Sequence, residues 1–215
     1  MSDPQAPSTE MLRAAHVALA AGRLVVYPTE TFYGVGARAL DPGAVAELAR
    51  LKERSGEGGK PIALVVADRA MVARVAARVP PAAELLMERF WPGPLTLVLP
   101  AREDLPPELT AGSSRIGVRV SSHPVARGLA AALGEPITAT SANRAGESPA
   151  CDVGAARRAL GDAIAVYVDG GAVVGGSGST VVVVGDDAGQ VVRAGAVSVA
   201  ALRRVLGDFR LETPP

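Results

Sequence analysis

Residues 27–36 read YPTETFYGVG, and the interpretation of the whole chain begins from this stretch. The apolar residues 24–27 predict a buried strand that ends at Pro28, because proline has no N–H to donate to a strand ladder. Two threonine hydroxyls, a carboxylate and a phenol follow, and Gly34 and Gly36 close the stretch. Such groups at the carboxyl end of a strand are typical of a loop that binds a polar ligand. A tight turn whose threonines cap the next helix accounts for the same residues about equally well.

The composition restricts the class of protein. Of the 215 residues, 48% are hydrophobic and 20% charged, which predicts a folded chain whose core is filled by Val, Leu and Ala, since only 3% are aromatic. Lys plus Arg and Asp plus Glu both number 22, which argues against a basic coat for nucleic acid but leaves room for a local basic groove. A single cysteine cannot form an internal disulfide, and with only two histidines the chain has few ligands for a zinc site. With no membrane-length apolar run and no signal-peptide pattern at the start, we expect a cytoplasmic enzyme without a membrane partner.

Helix and strand patterns alternate along the chain, which predicts an α/β fold with a largely parallel or mixed sheet. Asp41-Pro42, Asp152 and Ser198 stand where three helices are expected to start, because their side chains can accept from free N–H groups. The other predicted strands are residues 62–66, 95–99, 116–120, 136–139 and 165–168, with a hairpin of 180–184 and 190–193 around 186–189. We predict a loose N-terminus at residues 1–8, one domain at 9–207 and a short C-terminal tail at 208–215.

Two groups of cationic residues suit anion binding. Lys52-Glu53-Arg54 ends a predicted helix just before a glycine-rich segment, where the two cations suit phosphates, although a solvated surface run is the commoner use of such a triplet. Arg115 and Arg119 lie four apart in a predicted strand and therefore project to the same side. In an apolar strand they need anions, either from a ligand or from a salt bridge to a nearby Asp or Glu.

Two further segments combine hydroxyl or amide groups with strand ends. Ser141 and Asn143 can hold a nucleotide or triphosphate without charge, and an Asx or Ser turn is the alternative. Ser179-Thr180 follows the glycine-rich residues 175–178, which suit either an anion cradle or a flexible connector.

Taken in order, these segments resemble the YrdC-like family, the threonylcarbamoyl-AMP synthases. The opening stretch is similar to the family's PTET-x-YG-x-G signature, and further matches follow at residues 52–54 (KER), 91–96 (WPGPLT), 140–143 (TSAN) and 179–182 (STVV). The matches cover about residues 10–207. The resemblance implies a single YrdC-like domain with a twisted, mixed parallel/antiparallel sheet and a concave ligand-binding face.

The implied activity is that of an L-threonylcarbamoyladenylate synthase. Such a nucleotidyltransferase forms threonylcarbamoyl-AMP and pyrophosphate from L-threonine, bicarbonate and ATP. The product serves tRNA modification through a downstream tRNA threonylcarbamoyl transferase complex, and direct contact with tRNA is left open. ATP is a substrate, and Mg²⁺ is expected to be held mainly by its phosphates. The alternatives are a non-catalytic RNA-binding module, which the scarcity of aromatic rings disfavours, and a nucleotide-binding regulator of the same fold.

The resemblance also assigns residues to roles. The catalytic set is Lys52, Arg54, Ser141 and Asn143. The ATP-binding set is Lys52, Arg54, Lys60, Arg115, Ser141, Asn143, Ser148 and Arg193. The threonine-binding set is Thr29, Thr31, Tyr33, Arg119 and Ser179.

The chain departs from the family pattern at three places. Residues 55–60 form a longer, glycine-rich loop, which we expect to be mobile when empty and to order around a bound triphosphate. Ser121 and Ala145 replace a usual proline and serine. We predict structural roles for His123 and for the turn at residues 91–94.

Overall fold

The computed structural model describes residues 7–54, 59–144 and 146–213, with the side chain of Arg54 excluded. The predicted ordering of the loop at residues 55–60 therefore concerns a segment of which only Gly59 and Lys60 are described. Ala145 also lies outside the described residues.

Within these ranges the chain alternates between helices and short strands. The helices are α1 (Thr9–Ala20), α2 (Pro42–Arg54), α3 (Pro81–Phe90), α4 (Pro107–Thr110), α5 (Pro124–Leu133), α6 (Val153–Leu160) and α7 (Val199–Leu206), with 3₁₀ turns at Ala70–Arg74 and Gly161–Ala163. The strands are β1 (Val25–Pro28), β2 (Tyr33–Gly36), β3 (Leu64–Val65), β4 (Leu95–Pro100), β5 (Arg115–Arg119), β6 (Ile137–Thr138), β7 (Thr140–Ser141), β8 (Val166–Tyr167), β9 (Thr180–Val184), β10 (Ala188–Arg193) and β11 (Arg210–Glu212). None of the described helices combines the length and apolar character needed to cross a bilayer.

The described strands form two mixed sheets, which confirms the predicted α/β class with parallel and antiparallel pairs. The smaller sheet has the order β7-β2-β1-β8, and the larger has the order β11-β10-β9-β4-β5-β3-β6. In the larger sheet β5 pairs antiparallel with β4 and parallel with β3, while β4 pairs parallel with β9. The edge strand β11 lies in the segment predicted as a tail, and it pairs parallel with β10.

Helix starts follow the predicted capping chemistry. The carboxylate of Asp41 accepts from the N–H groups of Gly43 and Ala44, the Asp152 carboxylate accepts from Ala155, and the Ser198 hydroxyl accepts from Ala201. These contacts satisfy N–H groups that have no partner within the first turn.

The opening stretch is a pair of strands rather than a strand followed by a free loop. β1 ends at Pro28 as predicted, but β2 returns antiparallel to it, with Val25 opposite Gly36. Gly36 lies in β2 rather than in the predicted ligand-binding loop. A Cβ atom there would lie 2.8 Å from the ring of Tyr27, so the close approach of that ring requires glycine.

The predicted hairpin near the C-terminus is present with a shorter turn. β9 and β10 are antiparallel, but β10 already begins at Ala188, so residues 188–189, which we assigned to the turn, pair within the sheet. Gly189 lies opposite Val184, and its missing side chain leaves room for the ring of Phe209, 3.1 Å from where a Cβ would stand.

The two faces of the larger sheet have different characters. On β5, Ile116 and Val118 are buried in the hydrophobic core. The alternate residues Arg115, Gly117 and Arg119 line a cavity. Because side chains alternate across a strand, one face of this sheet packs the core and the other carries charge.

Residues 137–141 pass from the larger sheet into the smaller one. β6 pairs with β3, and β7 pairs with β2. The hydroxyl of Tyr27 donates to the carbonyl of Thr138 at 2.7 Å, and the Thr138 hydroxyl accepts from the N–H of Ala37 and donates to the carbonyl of Val35. These buried bonds fix the crossing, and with it the position of Ser141.

Candidate functional site

A cavity of about 900 Å³ lies over the charged face of the larger sheet. Its volume is within the range of pockets that enclose small molecules. Residues from the opening stretch, from α2 and from strands β4, β5 and β9 contribute to its walls. The sequence-predicted site residues that line it are Thr29, Thr31, Tyr33, Lys52, Lys60, Arg115, Arg119, Ser141, Ser179 and Arg193.

Three other predicted residues are placed differently. Asn143 and Ser148 line a neighbouring cavity of about 420 Å³, and Pro149 borders both cavities. The side chain of Arg54 lies outside the described residues.

Positive charge predominates in the larger cavity. Among the described residues that line it, the acids are Glu53 and Glu108, and the cations are Lys52, Lys60, Arg115, Arg119 and Arg193. A partly enclosed site with this excess attracts anions and is suited to a ligand with several negative charges.

Lys52 joins the predicted KER and TSAN segments. Its side chain is only 5% exposed, and Nζ donates to the main-chain carbonyls of Ser141 at 3.1 Å and Asn143 at 3.4 Å. The alternative of a solvated surface run is therefore wrong for Lys52, although Glu53 beside it is exposed.

The amide of Asn143 shapes its own loop. Nδ2 donates to the carbonyls of Arg144 at 2.9 Å and Glu147 at 3.0 Å. Oδ1 is buried and has no hydrogen-bond partner among the described residues. An Asx turn would use Oδ1 as the acceptor of a main-chain N–H, and no such bond is present among the described residues. The amide instead stabilises its loop through its donor nitrogen.

The hydroxyls of Thr29 and Thr31 make different hydrogen bonds. The Thr29 hydroxyl donates to the carbonyl of Phe32 at 2.7 Å and accepts from the main-chain N–H groups of Thr31 and Phe32. Its hydrogen is thereby committed, so in the 3.1 Å contact between the two threonine oxygens Thr31 must be the donor. Thr29 closes the turn, while Thr31 retains lone pairs that can accept from a ligand.

Tyr33 lines the cavity, and its hydroxyl is bonded to the main chain. The phenol donates to the carbonyl of Gly171 at 2.7 Å and accepts from the N–H of Gly170 at 3.1 Å. Burial raises the pKa of this phenol, and the nearby carboxylates of Asp169 and Asp152 act in the same direction, while the Gly170 hydrogen bond opposes them. Tyr33 therefore remains a neutral wall residue tied to the segment that follows β8.

Arg119 makes the type of contact that sequence reasoning kept as an alternative. Its Nη1 donates to Oε1 of Glu30 at 3.0 Å, in an ion pair whose side chains are 8% and 15% exposed. The second oxygen of Glu30 accepts from the hydroxyl of Ser121. Sequence reasoning noted this carboxylate without giving it a role, and no local pattern predicts a contact between positions 30 and 119.

Ser179, Thr96 and Arg193 form a polar cluster at one wall. Ser179 Oγ lies 2.9 Å from the hydroxyl of Thr96 and accepts from Nη2 of Arg193 at 2.9 Å. Partial withdrawal of the guanidinium from water, together with nearby Arg119, lowers the pKa of Arg193, although the residue as a whole stays exposed at the rim.

Thr96 was not among the predicted site residues, although a signal for it exists. In β4 the buried core residues are Leu95, Leu97 and Leu99, so alternation places Thr96 and Val98 on the cavity face. A lone hydroxyl on that face could have marked Thr96 as a site residue.

The described residues contain no cluster of three or more His, Cys, Asp or Glu side chains that could hold a metal ion. Hard cations such as Mg²⁺ can instead be carried by substrate phosphates and water. The hydroxyl- and cation-rich lining is compatible with that arrangement.

Comparison with known proteins shows extensive similarity. The model of the Sua5/YciO/YrdC family, described as telomere recombination, matches residues 17–195. A threonylcarbamoyl-AMP synthase of Pyrococcus abyssi is 37% identical over 191 residues, which is 88% of this chain and 55% of that relative. One of Thiobacillus denitrificans is 39% identical over 156 residues, covering 72% of this chain and 81% of the relative.

The fold is also similar to that of solved structures. The crystal structure of P. abyssi Sua5 complexed with L-threonine superposes with a TM-score of 0.87 at 33% identity, covering 94% of this chain and 58% of that one. The chain thus spans little more than half the length of the Pyrococcus protein. The matched family model covers most of the sequence, and we conclude that the chain belongs to the Sua5/YciO/YrdC family.

Proposed function

We propose that this protein is an L-threonylcarbamoyladenylate synthase, which joins L-threonine, bicarbonate and ATP into threonylcarbamoyl-AMP and releases pyrophosphate and water. The observation that carries the proposal is the cavity in which, counting the described residues, five cationic side chains lie with buried threonine and serine hydroxyls. The relatives named as threonylcarbamoyl-AMP synthases and the threonine complex of P. abyssi Sua5 support it.

The phosphates of ATP fit the cationic side of the cavity. Lys52 is held by two carbonyls at the end of α2, and Arg115 and Arg193 face the same space from β5 and β10. We assign these residues to ATP, together with Arg54, Lys60 and Ser141. In this assignment Asn143 positions the loop that carries Ser148. Its Oδ1, which has no partner in the described part of the chain, is available to accept from a ligand N–H or O–H.

The amino acid fits the side formed by Arg119, Thr31 and the Ser179 cluster. The guanidinium of Arg119 would bind the carboxylate, because an arginine fork matches the two oxygens of that group. Thr31 can accept from the ammonium or hydroxyl of the substrate. Thr29 and Tyr33 support this wall through their contacts with the main chain.

The reaction requires positioning and charge neutralisation. The threonine amine takes up bicarbonate, losing water, to give a carbamate. A carbamate oxygen then bonds to the α-phosphorus while the bond to the leaving pyrophosphate breaks. Fixed cations stabilise the charge that develops on the phosphates without a protein nucleophile. Mg²⁺ bound to the phosphates would supply further charge neutralisation.

The chemistry of the product indicates what class of reaction consumes it. Threonylcarbamoyl-AMP is a mixed anhydride that can pass its acyl group to a nucleophile, so a downstream tRNA threonylcarbamoyl transferase complex is the proposed consumer. The proposal places the reaction in the cytoplasm, where ATP and tRNA are available, and leaves direct contact with tRNA to experiment.

A release assay tests the function. Pyrophosphate should form only when ATP, L-threonine and bicarbonate are present together, and omission of any one should abolish it. Release of pyrophosphate or phosphate from ATP alone, at the same rate, would contradict the proposal.

A further inference from the structure

The carboxylate of Glu30 approaches the cavity's arginine from outside. Arg119 lines the cavity, whereas Glu30 is not among the residues that line it. The ion pair uses Nη1 at 3.0 Å, and no other guanidinium nitrogen of Arg119 has a partner among the described residues. A guanidinium has five N–H donors, so donors remain for a ligand on the cavity side.

Both oxygens of the Glu30 carboxylate are held. Oε1 accepts from Arg119, and Oε2 accepts from the hydroxyl of Ser121, which is 0% exposed. The Ser121 oxygen in turn accepts the main-chain N–H of His123 at 3.2 Å. Since that N–H occupies a lone pair of Ser121, the hydroxyl hydrogen is directed to Glu30. The carboxylate is therefore fixed by β5 and by the turn that follows it.

The positive charge of Arg193 near Arg119 gives a physical reason for the ion pair between Arg119 and Glu30. Partial burial lowers the pKa of Arg193, and the positive charge of nearby Arg119 acts in the same direction. Two neighbouring guanidinium groups repel each other, and a long side chain that is partly withdrawn from water needs an anion to keep one geometry. Glu30 provides that anion on the side away from the cavity.

We propose that Glu30 is a positioning residue for substrate recognition: its carboxylate, held by Ser121, orients the Arg119 guanidinium toward the carboxylate of the amino-acid substrate. This inference rests on the proposed function, because it takes Arg119 as the group that binds that carboxylate. In this role Glu30 acts through Arg119 and does not contact the ligand itself.

Calorimetric binding of L-threonine and of L-threoninamide, which lacks the negative charge, tests the inference. The wild-type protein should prefer threonine, and Glu30→Gln should lower that preference by about tenfold or more, as expected when one member of a buried charge pair is removed. ATP affinity should stay unchanged. Glu108→Gln, which removes an acid that does line the cavity, is the matched control and should keep the preference.

Two further variants complete the test. Ser121→Ala removes only the hydroxyl that holds Oε2, so it should reduce the preference in the same direction by a smaller factor, and it serves as the test if Glu30→Gln fails to fold. Glu30→Asp should recover only part of the preference, because the charge returns without the reach.

Failure of the Arg119 assignment and failure of the Glu30 positioning role give different results. A wild-type protein that binds threonine and threoninamide equally would overturn the assignment of Arg119, and the inference with it. A wild-type protein that prefers threonine, with folded Glu30→Gln and Ser121→Ala variants showing the same or a greater preference, would overturn the positioning role alone.

Discussion

Lys52 and Ser141 are 89 residues apart in the sequence, and a 3.1 Å hydrogen bond joins the ammonium of one to the main-chain carbonyl of the other. The bond connects the end of α2 to the segment that crosses between the sheets. It places two separate motifs at one wall of the cavity, where each was predicted to serve the same ligand. The fold itself therefore sets the position of the ammonium.

Lys52→Met should lose both activity and stability. Methionine fills similar space but leaves the carbonyls of Ser141 and Asn143 without this donor, so we expect a loss of about 1–3 kcal/mol in the free energy of unfolding. At an exposed surface position the same substitution would leave the free energy of unfolding nearly unchanged. Urea unfolding with the release assay checks it, and a variant as stable as the wild type would contradict the structural role.

Thr29→Val and Thr31→Val should separate turn formation from ligand binding. The first removes a hydroxyl that makes several bonds within the turn, and should cost about 1–3 kcal/mol of stability, while Thr29→Ser should restore it. Thr31→Val should keep most of the stability but raise the KM for threonine. Equal effects of the two substitutions on stability and on KM would contradict a turn-forming role for Thr29 and a ligand-binding role for Thr31.

Tyr33→Phe should affect stability more than threonine binding. The phenol is bonded to Gly170 and Gly171, so its loss leaves a buried donor and acceptor unpaired, at a cost of about 1–3 kcal/mol. Tyr27→Phe, which removes the bond to Thr138, is the matched control for a phenol away from the cavity lining. A large rise in the KM for threonine with Tyr33→Phe alone would instead favour direct contact with the substrate.

His123 should make the protein less stable in mild acid. Burial lowers the pKa of its imidazole below the usual value, with the charge of Glu30 opposing. The unfolded chain therefore binds a proton more readily than the folded one, and the free energy of unfolding decreases as pH falls below about 6.5.

The matched variant is His123→Asn, which can still accept from the N–H of Val125 at the start of α5. We expect it to lose less stability than the wild type between about pH 7 and pH 5, which brackets the ordinary histidine pKa. Urea unfolding at both pH values gives the comparison. Identical losses in the two proteins would mean that His123 does not contribute.

Much of the fold follows from local sequence chemistry. Asp41, Asp152 and Ser198 cap helices where their side chains predicted it. Strand alternation correctly placed Arg115 and Arg119 on one face. The ordered motifs predicted the family, which the matched family model confirms. These successes share a cause, since each depends on residues a few positions apart or on a sequence pattern already known.

The remaining features depend on partners distant in sequence. β2 is a strand because β1 and β7 pair with it, although its glycines are typical of a loop. The ion pair of Glu30 and Arg119 and the burial of Lys52 arise only when the sheets come together. The roles of the cavity residues toward ATP and threonine remain predictions.

The central claim is most directly tested by following the carbon of bicarbonate. The protein is incubated with ATP, L-threonine and ¹³C-labelled bicarbonate, and the nucleotide products are identified by mass spectrometry. Our account predicts a threonylcarbamoyl-AMP species that carries the label, in an amount equal to the pyrophosphate released, and its loss when L-valine replaces threonine. AMP or ADP formed without any labelled adduct would contradict it.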